Sequence, residues 1–331
     1  MKLVLRSLTA FLVAMAVTLT APFAKAQSLP DKVLTLIVPY PGGGSADTTA
    51  RIIANEMSKK LGRSIIVLNK PGAATMVGTA EAAKAAPDGT TMLFAANTNL
   101  INNIALFDKL PYDPVNDFAP VARLVALPLM ISANPKAPFK TLPEMVEYVR
   151  KNPDKVTRAS AGVANITNIG LLYFEDVAKI KMWHVPYAGD AAAMQALISG
   201  EVDVYTTTVA LMRQHVQSGR VRGLAILGKD AVRDSEVPDV PTVTEAGFPE
   251  FDVDSWYSIV VPAKTPQAAI AELNKAANDA LKTPEVASQL SKFGVVPTGG
   301  TLADLQKLID DNRARWVPAI RKLNIKAEQQ P

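Results

Sequence analysis

The sequence VPYPGGGSADTTAR, residues 38–51, places three consecutive glycines between an apolar run and a helical pattern. The apolar run at residues 33–39 is rich in β-branched side chains and predicts a strand. Residues 46–61 carry apolar side chains at the spacing of one helix face, and Gly62 is a common helix stop. A strand, a glycine turn and a helix in this order predict a βα unit of an α/β protein.

The glycine turn has two interpretations. A helix that begins at Ser45 or Ala46 leaves its first N–H groups without intrahelical acceptors, and glycines at 42–44 let a bound anion approach the backbone closely. Alternatively, Ser45 or Asp47 caps the helix and the glycines only form a turn. The loop sequence by itself leaves both interpretations open.

Motifs for catalysis are scarce in this chain. The glycine turn lacks both the lysine of a phosphate-binding P-loop and the glycine spacing of dinucleotide sites. Ser45 and Ser160 do not lie in the G-x-S-x-G pattern of hydrolases, and His184 and His215 have no metal-ligand or triad spacing. The absence of cysteine excludes disulfides, thiolate nucleophiles and sulfur-ligated metals. We expect no cofactor, no metal site and no enzymatic activity; an exported hydrolase whose groups meet only in the folded chain is the alternative.

Residues 1–26 have the pattern of a secretory signal. A basic start is followed by an apolar stretch at residues 8–20 and by Ala-Lys-Ala at 24–26, which predicts export and cleavage after Ala26. The apolar stretch is shorter than the roughly 20 residues that span a bilayer. The sequence therefore predicts a periplasmic protein rather than a membrane-anchored one.

Export also changes the charge balance of the chain. The formal net charge is +4, but the signal carries three basic residues (Lys2, Arg6 and Lys25) and no acidic ones, so the mature chain has a net charge of +1. No run of lysines or arginines alternates with aromatic residues. The sequence therefore predicts no nucleic-acid partner.

Strand and helix patterns alternate along two parts of the chain. The first series ends at residue 96 and the second runs from residue 142 to residue 227, as expected for parallel βαβ units. Between the two series, residues 118–133 form an extended stretch that is too long for one compact strand and contains Pro128. A second extended stretch at residues 253–262 precedes three helical patterns.

Two extended crossings around a central α/β unit predict two domains with a cleft and a hinge between them. We assign residues 27–127 and 253–331 to domain 1 and residues 128–252 to domain 2. Ligands of open α/β sheets bind outside the carboxyl ends of the strands, where turns of both domains fall. The candidate ligand-binding residues, for each of which a turn or cap role is the alternative, are Tyr40, Gly43, Gly44, Ser45, Ala46, Asp47, Asn97, Ser160, Ala161, Gly162, Asn165, Thr167, Tyr187, Thr206 and Thr207.

Several longer motifs resemble those of one protein family. In chain order, from about residue 34 to residue 301, they are IVPYPGGGSADTTAR, VLNKPGA, PDGTTML, LPYDPVNDFAPVARL, HVPYAG, SGEVDVY and VPTVTEAGFPEFDVDSWYSIVVPAKTP. Together they resemble the periplasmic substrate-binding receptors of tripartite tricarboxylate transporters, the Bug family. The resemblance implies a two-lobed periplasmic binding protein fold, type II-like, with two Rossmann-like domains joined by two crossing hinge strands.

In this family the lobes close on a ligand that is commonly a carboxylate, and membrane transporter subunits receive it. The resemblance implies that the loops at residues 41–47 and 160–168 hold one carboxylate group, largely through backbone groups and ordered water. Neither loop contains an arginine for a direct two-pronged contact, which agrees with water bridging. We expect a monomer that binds a small organic acid; a sensory protein that presents its ligand to another membrane receptor is the alternative.

The sequence departs from the family pattern where members often carry charged or titratable groups. Those places hold Ala164, Asn165, Asn168, Leu172, Ala188 and one of the threonines at 206–208. The replacements favour a ligand whose far end meets a neutral, hydroxyl-lined pocket, such as an aromatic or a short dicarboxylic acid.

Overall fold

The computed structural model describes residues 28–162, 166–187, 189–228, 231, 233–251, 253, 255–292 and 294–323. The signal predicted at residues 1–26 lies outside the described residues. In chain order the strands are β1 (Leu34–Val38), β2 (Ile65–Asn69), β3 (Thr91–Ala96), β4 (Phe118–Ala126), β5 (Leu129–Ala133), β6 (Thr157–Ser160), β7 (Trp183–Pro186), β8 (Val204–Thr208), β9 (Arg222–Ile226), β10 (Trp256–Pro262) and β11 (Val296–Pro297).

The strands form two sheets, which we call the large sheet and the small sheet. The large sheet has the order β11-β4-β10-β3-β1-β2, with β1 parallel to β2 and β3, and β10 antiparallel to β3 and β4. The small sheet has the order β7-β6-β8-β5-β9, with β6 parallel to β7 and β8, and β5 antiparallel to β8 and β9. Each sheet with its helices forms one lobe, so the predicted two-lobed α/β fold is confirmed.

Helices cover the faces of both sheets. In chain order they are α1 (Ser45–Leu61), α2 (Met76–Ala83), α3 (Asn103–Leu106), α4 (Leu142–Lys151), α5 (Ile166–Ala178), α6 (Asp190–Ser199), α7 (Val209–Gln217), α8 (Gln267–Leu281), α9 (Pro284–Lys292) and α10 (Leu302–Lys322). A π-helical turn, Thr98–Asn102, precedes α3. This turn and the short strand β11 are not predicted by the sequence pattern, because neither has a periodic run of its own.

The first βα unit shows why these residues take these conformations. Four of the five residues of the strand LTLIV are apolar and buried, as expected for a central strand whose two faces are both covered. On α1 the buried apolar side chains recur at helical spacing, and Ile53 and Met57 are fully buried. Burial of a side chain of this size contributes about 1.5–3 kcal/mol to stability. Gly62, in the left-handed region at φ +64°, ends the helix.

The long extended stretch at 118–133 divides between the two lobes. Strand β4 belongs to the large sheet and β5 to the small sheet, and only Leu127 and Pro128 separate them. Strand β10 brings the chain back to the large sheet, and the Leu127 N–H donates to the Ser255 carbonyl at 2.8 Å. The predicted crossing is therefore confirmed, and within the large sheet the outgoing strand β4 and the returning strand β10 pair antiparallel. We propose lobe boundaries at 127/128 and 252/253.

Aromatic side chains join the lobes on the side of α5 and α10. Helix α5 packs on the small sheet and α10 packs on the large sheet. Between them, the ring of Tyr173 lies 5.1 Å from that of Trp316 and 5.9 Å from that of Phe251, measured between centroids. The Lys322 ammonium also lies 2.6 Å from the Asp176 carboxylate. These contacts make the two lobes neighbours at a second place besides the crossing strands.

Candidate functional site

The glycine turn presents an uncapped helix start. Helix α1 begins at Ser45, and Gly44 precedes it with extended backbone (φ −81°, ψ 176°) and no side chain that could cap it. The N–H groups of residues 45–47 therefore have no intrahelical acceptors. The N-cap residue Gly44 forms no side-chain hydrogen bond, and Asp47 accepts from the Gly43 N–H rather than from the N–H groups of the first helical turn.

Asp47 stabilises the conformation of this turn. Its buried carboxylate accepts hydrogen bonds from the Gly43 N–H at 2.8 Å and from Asn69 Nδ2 at 2.9 Å, and Arg51 Nε lies 2.9 Å from it. Gly43 has φ +82°, a conformation that favours glycine. Burial by itself would raise the pKa of Asp47, but the hydrogen bonds from Arg51, Gly43 and Asn69 outweigh it and lower the pKa. The carboxylate is thus ionised and already partnered.

A cavity of about 410 Å³ opens in front of this turn, between the strand ends of the two lobes. Its lining combines the glycine turn with the ends of strands and the starts of helices. The large lobe contributes Tyr40, Gly43, Gly44, Ser45, Thr48, Ala96, Asn97, Thr98, Leu127, Ser255, Tyr257 and Lys292, and the small lobe contributes Leu129, Thr167, Asp190, Thr207, Thr208, Ala210 and Leu211.

Four helices of the structure point their first turns at this cavity. Ser45 of α1, Thr167 of α5, Asp190 of α6 and Ala210 of α7 all line it. The N-terminus of a helix carries a partial positive charge and unpaired N–H groups, which favour an anion. Among the described lining residues there is no arginine, and the single lysine, Lys292, is exposed. Anion binding therefore depends on backbone groups and neutral side chains.

Two tyrosines add neutral donors to the lining. Burial raises the pKa of Tyr257 to about 12, helped by the negative charge of Asp190, while a hydrogen bond with the Ser45 side chain acts in the opposite direction. Burial likewise raises the pKa of Tyr40, whose hydroxyl interacts with Thr98. Both hydroxyls are protonated at neutral pH and can donate to a ligand oxygen.

Seven of the predicted site residues line the cavity. The seven are Tyr40, Gly43, Gly44, Ser45, Asn97, Thr167 and Thr207. The described residues that do not line it are Ala46, Asp47, Ser160, Ala161, Gly162, Tyr187 and Thr206, whereas Asn165 lies outside the described residues.

Physical reasons explain three of the placements outside the cavity. Thr206 alternates with Thr207 along β8, so their side chains lie on opposite faces of the small sheet. The Tyr187 hydroxyl is used in a hydrogen bond to Glu201 at 2.7 Å. Ser160 is buried and its Oγ lies 2.7 Å from His184 Nε2.

The Ser160–His184 pair resembles half of a hydrolase triad, but its surroundings do not suit catalysis. Ser160 is only 1% exposed, so a substrate cannot reach its hydroxyl. Burial, together with the charge of Arg158, lowers the pKa of His184 to about 4. The two residues lie on the neighbouring strands β6 and β7, two positions apart in register, and their hydrogen bond joins these strands.

The sequence pattern missed two charged groups of the cavity. Asp190 and Lys292 line it, so the cavity carries charge besides the hydroxyl groups that the sequence predicts for the far end of the ligand. Asp190 is the first residue of α6, directly after Gly189. An acidic residue between a strand-end glycine and a helix was the available signal, although Asp at this position is also common for helix stability alone.

Comparisons with known proteins identify the family. Residues 49–325 match the tripartite tricarboxylate transporter family receptor, TctC. Protein BugT of Bordetella pertussis is 31% identical over 304 residues, 91% of this chain and 92% of BugT. MatC of Rhodopseudomonas palustris with bound malate superimposes with a TM-score of 0.73 at 33% identity, covering 88% of this chain and 100% of MatC. R. palustris Rpa4515 with adipate superimposes with a TM-score of 0.76 at 26% identity, covering 89% of this chain and 98% of Rpa4515.

The family match covers most of both lobes and begins just after the glycine turn, at residue 49. The family consists of periplasmic solute-binding receptors, not enzymes, which removes the hydrolase alternative. Within the described residues, no helix is both long enough and apolar enough to cross a membrane. The chain belongs to the Bug family of tripartite tricarboxylate transporter receptors.

Proposed function

We propose that this receptor captures a small organic acid between its lobes and delivers it to the membrane subunits of a tripartite tricarboxylate-type transporter. The uncapped start of α1 at a cavity between the lobes carries the proposal. The similar receptors that hold malate and adipate support a carboxylate as the bound group. The ligand carboxylate accepts hydrogen bonds from the N–H groups of residues 45–47, directly or through water.

The number of available contacts suits the affinity that a receptor needs. A hydrogen bond to a charged group contributes about 1.5–3 kcal/mol, and micromolar affinity requires about 8 kcal/mol in total. Two or three such bonds, with burial of the ligand as the lobes close, account for this range. The crossing segments at Leu127 and Ser255 act as the hinge for this closure.

Three further features belong to the same proposal. The chain is exported and cleaved after Ala26, and it works as a monomer. One lobe comprises residues 27–127 and 253–331, the other comprises residues 128–252, and the cavity between them is the ligand site. The ligand-binding set comprises the seven predicted residues that line the cavity together with Thr98, Asp190 and Tyr257. The backbone N–H groups of Ala46 and Asp47 complete it.

Thermal-shift screening followed by isothermal titration calorimetry tests the function. The panel contains aromatic acids, short dicarboxylic acids, hydroxy acids and amino acids, with sugars, neutral amides and amines without a carboxylate as controls. We expect stabilisation by a carboxylate with micromolar or tighter affinity. Stabilisation only by the controls contradicts the proposal. Uptake of the identified acid into proteoliposomes with the membrane subunits then tests delivery.

A further inference from the structure

Asp190 places a negative charge in a cavity that otherwise favours anions. Its Oδ1 accepts hydrogen bonds from the Tyr205 hydroxyl at 2.5 Å and from Thr207 Oγ1 at 2.8 Å. The other carboxylate oxygen, Oδ2, has no donor and no ion-pair partner among the residues that the structure describes. The carboxylate is therefore held in a fixed orientation with one oxygen available to a ligand.

Helix stability explains part of this arrangement but not all of it. An acidic residue in the first turn of a helix interacts favourably with the helix dipole, and Asp190 is the first residue of α6. However, the carboxylate does not cap its own helix; it is fixed by two hydroxyls of β8 and faces the cavity. Its charge contributes to the raised pKa of Tyr257 on the opposite lobe, which shows that it acts across the cleft.

The one cation of the described lining does not neutralise Asp190. Lys292 lies at the end of α9, is exposed, and forms no ion pair with any residue in the part of the chain that the structure describes. An exposed ammonium is strongly hydrated and screened by salt, so its attraction for a ligand is weak. The half-buried Asp190 is less screened, because its surroundings are less polarisable than water. Of the two charges, Asp190 has the larger influence on which ligand is accepted.

A dicarboxylate that fills this cavity brings a second negative charge towards Asp190. Like charges in a partly desolvated site repel strongly, whereas a protonated amine would gain a charge-assisted hydrogen bond to Oδ2. The remaining lining includes the apolar side chains of Leu127, Leu129 and Leu211, which can cover a short carbon chain. The cavity thus offers an anion site, an apolar wall and a cation site.

We propose that the ligand is an amino carboxylate, with its carboxylate at the start of α1 and its protonated amine bound to Asp190. This inference rests on the proposed function and narrows the ligand class: Asp190 selects amine-bearing acids over the aromatic and dicarboxylic acids that the neutral replacements in the sequence favour. Tyr205 and Thr207 position the Asp190 carboxylate for this contact.

Calorimetric titration with matched probes tests the inference. The probes are pairs of equal chain length, β-alanine with succinate and γ-aminobutyrate with glutarate, together with the common α-amino acids and an amine without a carboxylate. The proteins are the wild type, Asp190→Asn, Asp190→Glu and the control Asp311→Asn, which removes an exposed acid far from the cavity in sequence. Circular dichroism and thermal unfolding establish that each variant is folded.

We expect at least one amine-bearing acid to bind the wild type about tenfold tighter than its matched dicarboxylate or deaminated analogue. In Asp190→Asn this preference disappears or reverses, Asp190→Glu retains part of it, and Asp311→Asn leaves it unchanged. Tighter binding of a dicarboxylate, or an unchanged preference in Asp190→Asn, overturns the inference and leaves the proposed function standing. Binding of the amine alone, or of no carboxylate, contradicts the proposed function as well.

Discussion

Asp47 shows how a carboxylate can serve an anion site without facing the anion. Its two oxygens are occupied by Gly43, Asn69 and Arg51, so its charge is balanced while it holds the glycine turn in place. In this conformation, the glycine turn leaves the N–H groups at the start of α1 open to the cavity. A residue that would repel the ligand if it were free becomes a positioning residue.

Replacing Asp47 with asparagine is expected to destabilise the fold and weaken ligand binding. The amide has only one acceptor oxygen, so either the Gly43 N–H or the Asn69 amide loses its partner, at a cost of about 1–3 kcal/mol. Urea unfolding at neutral pH measures this loss, and calorimetry measures the weaker binding. An unchanged stability and affinity would show that the turn is held by other contacts.

The same residue predicts a pH dependence. Because the folded-state pKa of Asp47 is lowered, its contribution to stability is fully present above the unfolded-state pKa of about 3.9 and is lost as the pH falls through the folded-state pKa. The difference in unfolding free energy between wild type and Asp47→Asn should therefore shrink below about pH 4. A difference that stays constant with pH contradicts the role of the ionised carboxylate.

Helix α5 is joined to strand β6 by a buried ion pair that sets one wall of the cavity. Arg158 Nε lies 3.0 Å from Glu175 Oε2, and Arg158 Nη1 donates to Asn168 at 2.7 Å. Glu175 also accepts a hydrogen bond from the Met182 N–H at 2.6 Å. Burial raises the pKa of Glu175 and lowers that of Arg158, while their mutual attraction opposes both changes. The pair fixes α5, whose first turn carries Thr167 to the cavity.

A double-mutant cycle tests this anchor. Arg158→Met and Glu175→Leu each leave one buried charge without its partner, and each is expected to cost about 3–5 kcal/mol of unfolding free energy. The double variant removes both charges and should cost clearly less than the sum of the two single changes. Urea unfolding of the four proteins measures the coupling. Simple additivity would show that the two side chains do not depend on each other.

At the level of helices and strands, some features can be predicted from the sequence and others cannot. The glycine turn and the crossing stretch at 118–133 are local signals, since turn chemistry and strand length can be read without knowing the tertiary contacts. The lining roles of Thr98, Asp190 and Tyr257 depend on which strand ends and helix starts meet across two lobes. The Ser160–His184 contact likewise arises from strand pairing, which local periodicity does not specify.

The two lobes touch beside the cavity as well as at the hinge. Gly294 follows α9 in the large lobe, and a Cβ atom at this position would lie 2.7 Å from Cα of Ala210 on α7 of the small lobe. Lys292, two residues before Gly294, and Leu211, directly after Ala210, both line the cavity. A side chain at Gly294 is therefore incompatible with this arrangement of the two lobes.

Gly294→Ala is expected to hold the lobes apart and to weaken ligand binding by about tenfold, the effect of roughly 1.4 kcal/mol. Gly62→Ala is the matched control: Gly62 has nearly the same positive φ, +64° against +62°, but no atom within 4 Å of its added Cβ. Both variants should lose a similar amount of stability from backbone strain. Calorimetry and small-angle scattering with ligand present measure affinity and closure. Equal affinities in the two variants would show that the contact does not limit closure.

The central claim is that backbone N–H groups at the start of α1 hold the ligand carboxylate. Ser45→Pro removes the N–H of the first helical residue together with the hydroxyl, whereas Ser45→Ala removes only the hydroxyl. Proline suits this position because Gly44 before it is already extended at ψ 176°. Calorimetric titration of both variants with the acid that binds the wild type most tightly gives the decisive comparison. We predict that Ser45→Pro binds about tenfold to a hundredfold more weakly than Ser45→Ala, the effect of one hydrogen bond to a charged group; equal affinities would contradict the claim.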